Sequence, residues 1–319
     1  PLSDVPVGKD KKDNVIVKEW AAPRGELRPP GRGKKTEFSF KPKSYLEIAQ
    51  ALNLIDLKRG AKVSGSRFTY LKNEAVLLEF ALVNLAFDIL TKEVFIPIIP
   101  PVLIKPESMK GMGYIDTMED LTERYFLEKD NLFLIGTSEQ AIGPLHKDEI
   151  FEEKELPKRY VAFSPCFREE AGSYGKETWG IFRVHQFDKV EMFSFVKFED
   201  SQKEHQFFLQ IAEKLMQNLK IPYRVVKLCT GELARPSAET FDLESWMPSQ
   251  NKYRETHSTS NCTDFQARRL NIRYRNSKSK KLEFVHTING TAFAIGRTLI
   301  AIIENYQKKD GSIEVPKVL

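Results

Sequence analysis

In YVAFSPCFREEAGSYGKETWGIFRVHQFDKVEMFSF, residues 160–195, two runs rich in β-branched and aromatic side chains flank a polar loop punctuated by Gly172, Gly175 and Gly180. The runs, Tyr160 to Arg168 and Ile181 to Phe195, predict an antiparallel hairpin with a long connection. A hairpin needs only about two to five loop residues, and longer loops are usually binding elements. This one carries Glu169, Glu170, Lys176 and Glu177. Side chains alternate across a strand, which puts Phe182, Val184, Val190 and Met192 on one face and Arg183, His185, Phe187, Lys189 and Glu191 on the other. With Arg168 on the neighbouring strand, the second face suits a ligand with an anionic part, a flat ring and a cationic part. Guanidinium forks grip phosphate or carboxylate, the Phe187 ring stacks on a base and Glu191 takes an ammonium. The competing interpretation is a solvated sheet face whose ion pairs contribute little.

Bulk properties set wide bounds. The 319 residues suffice for two average domains or one large α/β unit. Lys and Arg number 49 against 44 Asp and Glu, a mildly basic balance compatible with a nucleic-acid partner but not diagnostic of one. Cys166, Cys229 and Cys262 are odd in number and widely spaced, which favours a reducing, cytoplasmic setting over a disulfide framework and gives no zinc spacing. There is neither a signal peptide nor an uninterrupted apolar run of membrane length.

Outward from the hairpin, residues 1–43 are rich in Pro, Gly, Lys and Asp, an entry segment packed on a larger body rather than a domain. Ser44 and Glu47 form a capping-box pattern for a helix over Tyr45 to Asn53. Asn73 caps a second helix, from Glu74 to Thr91, apolar on nearly every side and so buried in a core or between subunits. The strand NLFLIG ends at Thr137, Ser138 and Glu139, a polar cluster that either contacts a small ligand or merely caps the next helix. Ser201 and Glu204 repeat the capping-box pattern before a packing helix. In YRETHSTSN, Glu255 and Ser258 offer a carboxylate and a hydroxyl, hard oxygens suited to magnesium beside a triphosphate; His257 between them suits a structural hydrogen bond better than catalysis. The last element predicts a strand, a turn at Asn289-Gly290 and a helix from Ala292 to Gln307. Arg297 within that apolar helix demands an anion, either a bound phosphate or a buried carboxylate.

CFREEAGSYGKETWGIFRVHQFDKVE resembles motif 2 of the class II aminoacyl-tRNA synthetases, and in particular of the seryl-tRNA synthetases. The likeness extends through VSGSRFTYLKN, GTSEQ, YRETHSTSNCTDFQARR and HTINGTAFAIGRTLIAIIENYQ. It implies an α/β chain of the α+β type with the class II fold, a central mostly antiparallel sheet flanked by helices, in agreement with strands grouped around hairpins. Residues 44–319 are then the catalytic domain, and the tRNA-binding helical arm that precedes it in the family is absent. The resemblance implies activation of L-serine by ATP with Mg2+, then transfer to the 3′ end of tRNA(Ser), with tRNA held weakly through Lys176 and the basic stretches Arg32 to Lys43 and Arg268 to Lys281.

The implied roles fall on single residues. Arg168, Arg297 and Glu255 are catalytic; ATP is held by Arg168, Glu170, Arg183, Phe187, Glu255, Ser258 and Arg297. Serine is held by Thr137, Glu139, Arg168, Glu191, Asn289 and Thr291, and the metal by Glu255 and Ser258. Phe95, Ile98 and Pro101 resemble motif 1, which implies a homodimer. Trp179, Ala234, Glu239 and His257 depart from the residues usual in the family. The carboxylate that attacks the α-phosphorus is already ionised, so no general base is required and catalysis is positioning plus charge neutralisation. Two alternatives stay open: an enzyme that loads a carrier protein instead of tRNA, and a non-catalytic binding module.

Overall fold

The protein is described from a computed structural model, which covers residues 1–21, 38–171 and 180–319. Lys176, Glu177 and Trp179 lie outside the described residues, as does the basic run from Arg32 to residue 37.

The sequence hairpin is the centre of an eight-stranded sheet. Its strands are β1 (Val15–Trp20), β2 (Ile96–Ile98), β3 (Lys158–Phe167), β4 (Gln186–Val196), β5 (Tyr223–Lys227), β6 (Glu239–Met247), β7 (Lys252–Asn261) and β8 (His286–Ala294). Their order across the sheet is β1-β5-β6-β7-β8-β4-β3-β2. Every pairing is antiparallel except β2 with β3. β4 therefore sits inside the sheet, its ladder satisfied by β3 on one side and β8 on the other. Residues 1–20 reach the opposite edge, where β1 pairs with β5.

The reverse face of β4 carries Val190, Met192 and Val196 into the main core. Three long helices, α1 (Glu74–Lys92), α2 (Ser201–Asn218) and α3 (Ile295–Asn305), pack into that core, and a short helix over Tyr45–Ala51 adds Tyr45, Ile48 and Ala49. α2 presents Phe208, Ile211, Ala212, Leu215 and Met216, spaced by threes and fours on one stripe. The front face of β4 is divided along its length. Phe187, Lys189 and Glu191 line a cavity, whereas Phe193 and Phe195 enter a second apolar cluster with Met112, Ile142 and Leu270.

Several expectations need correction. The second hairpin strand begins at Gln186, not Ile181. Residues 181–185 bond largely outside the sheet, Ile181 N–H to the Tyr45 hydroxyl and His185 N–H to the Arg67 carbonyl, so alternation does not apply there. Phe182, Arg183 and Val184 accordingly all line the cavity, although Val184 is also buried in the main core and Phe182 packs against it. His185 leaves the platform; its ring bonds the Arg168 carbonyl and packs by Phe68 and Tyr125. Asn289-Gly290 is not a turn but the middle of β8. A Cβ at Gly290 would lie 2.9 Å from Thr259 Cγ2 and 3.2 Å from Phe208 Cδ1, so this glycine serves close packing of α2 on the sheet rather than chain reversal. α2 is capped at Asp200, and Glu204 is turned to a bidentate ion pair with Arg159 instead of closing a capping box.

The Ser44 capping box is present, opening a short helix over Tyr45–Ala51. Asn73 precedes α1 at a positive φ and makes no side-chain cap; its amide donates to the Asn53 carbonyl. α1 is enclosed on one side only, through Ala75, Leu78, Leu82, Ala86 and Leu90, while Leu77 and Phe80 are 68% and 57% exposed.

Candidate active site

A cavity of about 470 Å³ opens over the front of β4. Every residue assigned to ATP or serine from the sequence lines it: Thr137, Glu139, Arg168, Glu170, Arg183, Phe187, Glu191, Glu255, Ser258, Asn289, Thr291 and Arg297.

At one end are the cations and the aromatic platform. The Arg168 guanidinium lies 5.2 Å from the centroid of the Phe187 ring and donates from Nε and Nη2 to the Gly136 carbonyl, at 3.2 and 3.1 Å. Among the described residues it forms no ion pair, so its charge is available to a ligand. Arg183 donates to Glu170 at 3.0 Å. Glu170 itself has φ 52°, a left-handed backbone held where the strand gives way to the loop. Phe182 lies between two guanidinium groups, with Arg254 at 4.1 Å and Arg297 at 4.6 Å from its centroid.

Arg297 donates to Glu255 Oε1 at 2.8 Å. The two possibilities open for Arg297 thus share one site: a carboxylate partner is present, and it faces the cavity where a phosphate would enter. Burial pushes the Glu255 carboxyl upward, but Arg297 outweighs this and holds it below the usual range. Three residues apart on a regular strand, Glu255 and Ser258 would point to opposite faces. A bulge prevents that: Glu244 pairs with Glu255 and Leu243 with His257, leaving Thr256 as the extra residue, and both side chains reach the cavity. Ser258 also donates to Asp242, whose carboxyl is pushed up by burial and by Glu255.

At the other end are the carboxylates. Glu139 and Glu191 are 3% and 2% exposed. Burial, and then Glu191, raise the Glu139 carboxyl to about 7. The Tyr114 hydroxyl, pushed well above its ordinary value by burial and Glu139, donates to Glu139. Lys189 is buried with its ammonium 2.7 Å from Glu191 Oε2 and donating at 2.7 Å to Thr137 Oγ1. Thr291, cross-strand from Glu191, donates to it at 3.4 Å. Asn289 lies two residues before Thr291, on the same side of β8.

Tyr114, Arg124, Phe182 and Asp242 had no role in the sequence interpretation, and Lys189 was placed on the platform without one. Tyr114 and Arg124 lie in loops remote in sequence from any motif, and only the tertiary fold brings them to the wall. Of the unusual residues, Ala234 and His257 line the cavity. His257 is buried, which lowers its ring to about 4, so it is neutral near pH 7. Glu239 is remote, buried between His205 at 2.9 Å and Lys227 at 2.8 Å.

The donor set of Glu255 and Ser258 fits a hard cation that keeps waters and is carried in with a polyphosphate. Among the described residues there is no group of three or more His, Cys, Asp or Glu that could hold a metal ion.

This arrangement, an antiparallel sheet with an arginine-lined cavity over its centre, is that of the class II tRNA synthetases, and the family model for the class II core domain (G, H, P, S and T) matches residues 124–306. The chain belongs to the serine–tRNA ligase family. It is 50% identical over 320 residues to the serine–tRNA ligase of Sulfurihydrogenibium sp. (strain YO3AOP1), covering 100% of this chain and 73% of that protein. It is similar to the solved seryl-tRNA synthetase of Pyrococcus horikoshii complexed with ATP, at TM-score 0.92 and 44% identity over 99% of this chain and 72% of the other. It is also similar to the cytoplasmic serine–tRNA ligase of Naegleria fowleri in complex with AMP, at TM-score 0.89 and 37% identity over 99% and 72%.

Proposed function

We propose that this cavity activates L-serine with ATP and Mg2+ to seryl-adenylate, releasing pyrophosphate, and then passes the seryl group to the 3′ end of tRNA(Ser). The observation that carries it is one continuous cavity with Arg168, Phe187 and the Glu255–Arg297 pair at one end and Thr137, Glu139, Glu191 and Thr291 at the other. Adenine stacks on Phe187 with its amino group toward Glu170, and the phosphates lie against Arg168, Arg183 and Arg297. An incoming phosphate competes with Glu255 for Arg297; Glu255, so released, together with Ser258 would hold the magnesium. That ion neutralises phosphate charge when bound; the protein's own part is to align an already ionised carboxylate with the α-phosphorus. The serine ammonium meets Glu191 and Glu139, the Thr137 hydroxyl keeps its own proton to donate to the substrate, and the serine hydroxyl meets Asn289 and Thr291.

The active form is a homodimer. Supporting this, Leu77 and Phe80 on α1 stand exposed, as do Val94, Ile96 and Ile99 just beyond it. The three cysteines are free and buried, which suits a cytoplasmic enzyme of translation. No described helix is long and apolar enough to cross a membrane.

Serine-dependent ATP–pyrophosphate exchange, followed by charging of tRNA(Ser), tests the proposal. A pocket that hydrogen-bonds a hydroxyl rejects analogues lacking it by up to about 10⁴-fold, so alanine should fail by a large factor. Equal exchange with alanine would overturn the serine assignment. Exchange without charging would favour the carrier-loading alternative.

A further inference from the structure

The amino-acid end of the cavity already contains a cation of the protein's own. Lys189 approaches Glu191 Oε2 and Thr137 Oγ1, each at 2.7 Å, and so commits part of their bonding capacity before any substrate arrives. Oε2 of Glu191 is shared by Lys189 and, at 3.4 Å, Thr291, which leaves Oε1. Oγ1 of Thr137 accepts from Lys189 and, at 3.4 Å, from the Glu139 backbone N–H, so its own proton remains to be donated. Two buried carboxylates, Glu139 and Glu191, face this single ammonium. Arg168 also faces Glu139, yet burial and Glu191 still raise that carboxyl to about 7, so an arriving cation is favoured by the pair of carboxylates.

We propose that Lys189 is a positioning residue for the amino-acid substrate, fixing Glu191 and Thr137 so that Glu191 Oε1 and Glu139 are left to accept the substrate ammonium. This rests on the assignment of Glu139 and Glu191 to the ammonium subsite. It has a consequence for protons. The groups facing Glu139 are Tyr114 after the Pro106–Met112 helix, Glu191 and Lys189 on β4, Arg168 beyond β3 and Cys262 beyond β7. Burial pushes Tyr114 and Cys262 upward, away from neutrality, whereas Glu139 titrates near it. An arriving ammonium favours the ionised form of Glu139, so serine binding releases a proton and strengthens as pH rises through about 7. Removing the Lys189 charge, which opposes the upward shift of Glu139, moves that dependence to higher pH.

The experiment is pyrophosphate exchange with serine and ATP titrated separately between about pH 6 and 8, on wild type, K189M, K189R and E191Q. In K189M the serine KM should rise about tenfold or more with the ATP KM within about twofold, and the acid limb of the serine profile should move upward in pH. K189R should keep the limb near its wild-type position. An unchanged serine KM and limb in K189M, or equal behaviour of K189R and K189M, would overturn the proposal. If K189M does not fold, K189Q gives the same comparison; if neither folds, a wild-type serine KM that is flat across this range overturns it. An unchanged serine KM in E191Q would instead remove the subsite assignment on which the proposal stands.

Discussion

Arg168 and Phe187 touch each other yet should fail differently when removed. Arg168 makes no ion pair among the described residues and, in the proposed role, meets charge that develops during the reaction, so Arg168→Ala should lower the exchange rate on the order of 10²-fold with little change in folding. Phe187 offers a stacking surface that ground state and transition state use alike, so Phe187→Ala should raise the ATP KM and leave turnover nearly intact. Steady-state exchange kinetics on both variants separate the roles; lost turnover at unchanged ATP KM in Phe187→Ala would refute stacking. Phe187 was legible because it alternates with Lys189 and Glu191 on one side of a regular strand, whereas Arg168 lies one residue beyond the end of β3. The state of Glu139 was not, since burial and Glu191 set it from distant parts of the chain.

Local capping signals held only where no distant partner competed: Asn73 is drawn to the Asn53 carbonyl and Glu204 to Arg159. Ser44 and Glu47 close their capping box within one turn, and Ser44→Ala should destabilise the protein by about 1 kcal/mol in chemical denaturation. Where bonding is non-local the sequence was silent. The Thr256 bulge exists only in register with β6, and Gln186 begins β4 because the five residues before it are claimed by other partners. The junction of α1 with β4 is of the same kind. Glu79 on α1 hydrogen-bonds Asp188, and burial followed by Asp188 raises its carboxyl to about 8. A carboxyl raised in the folded state holds its proton there longer than in the unfolded chain, so stability is lost as pH rises from the unfolded value, near 4.5, toward about 8. Glu79→Gln should remove that loss: denaturation midpoints of the variant should fall less than those of wild type between about pH 5 and 8.

For the whole molecule, the antiparallel sheet was foreseeable from hairpin grouping, whereas the enclosure of α1 required the fold. One stripe is buried in the main core, and Leu77 and Phe80 face outward. Leu77→Glu with Phe80→Glu should therefore shift sedimentation from dimer to monomer without unfolding the chain; an unchanged dimer would place the interface elsewhere. The packing of Gly290 has a different implication, for how this enzyme's choice of amino acid can change over time. Asn289 and Thr291 both reach the pocket, the first also donating to Cys262 Sγ and the second to Glu191. The position between them belongs to the contact of β8 with Phe208 and Thr259, where even a methyl requires the neighbours to move. Gly290→Ala should then lower thermal stability and serine discrimination together, as melting and exchange against alanine would record. Along β8, drift toward another substrate runs through the two flanking positions, because the route through the middle one runs through the core.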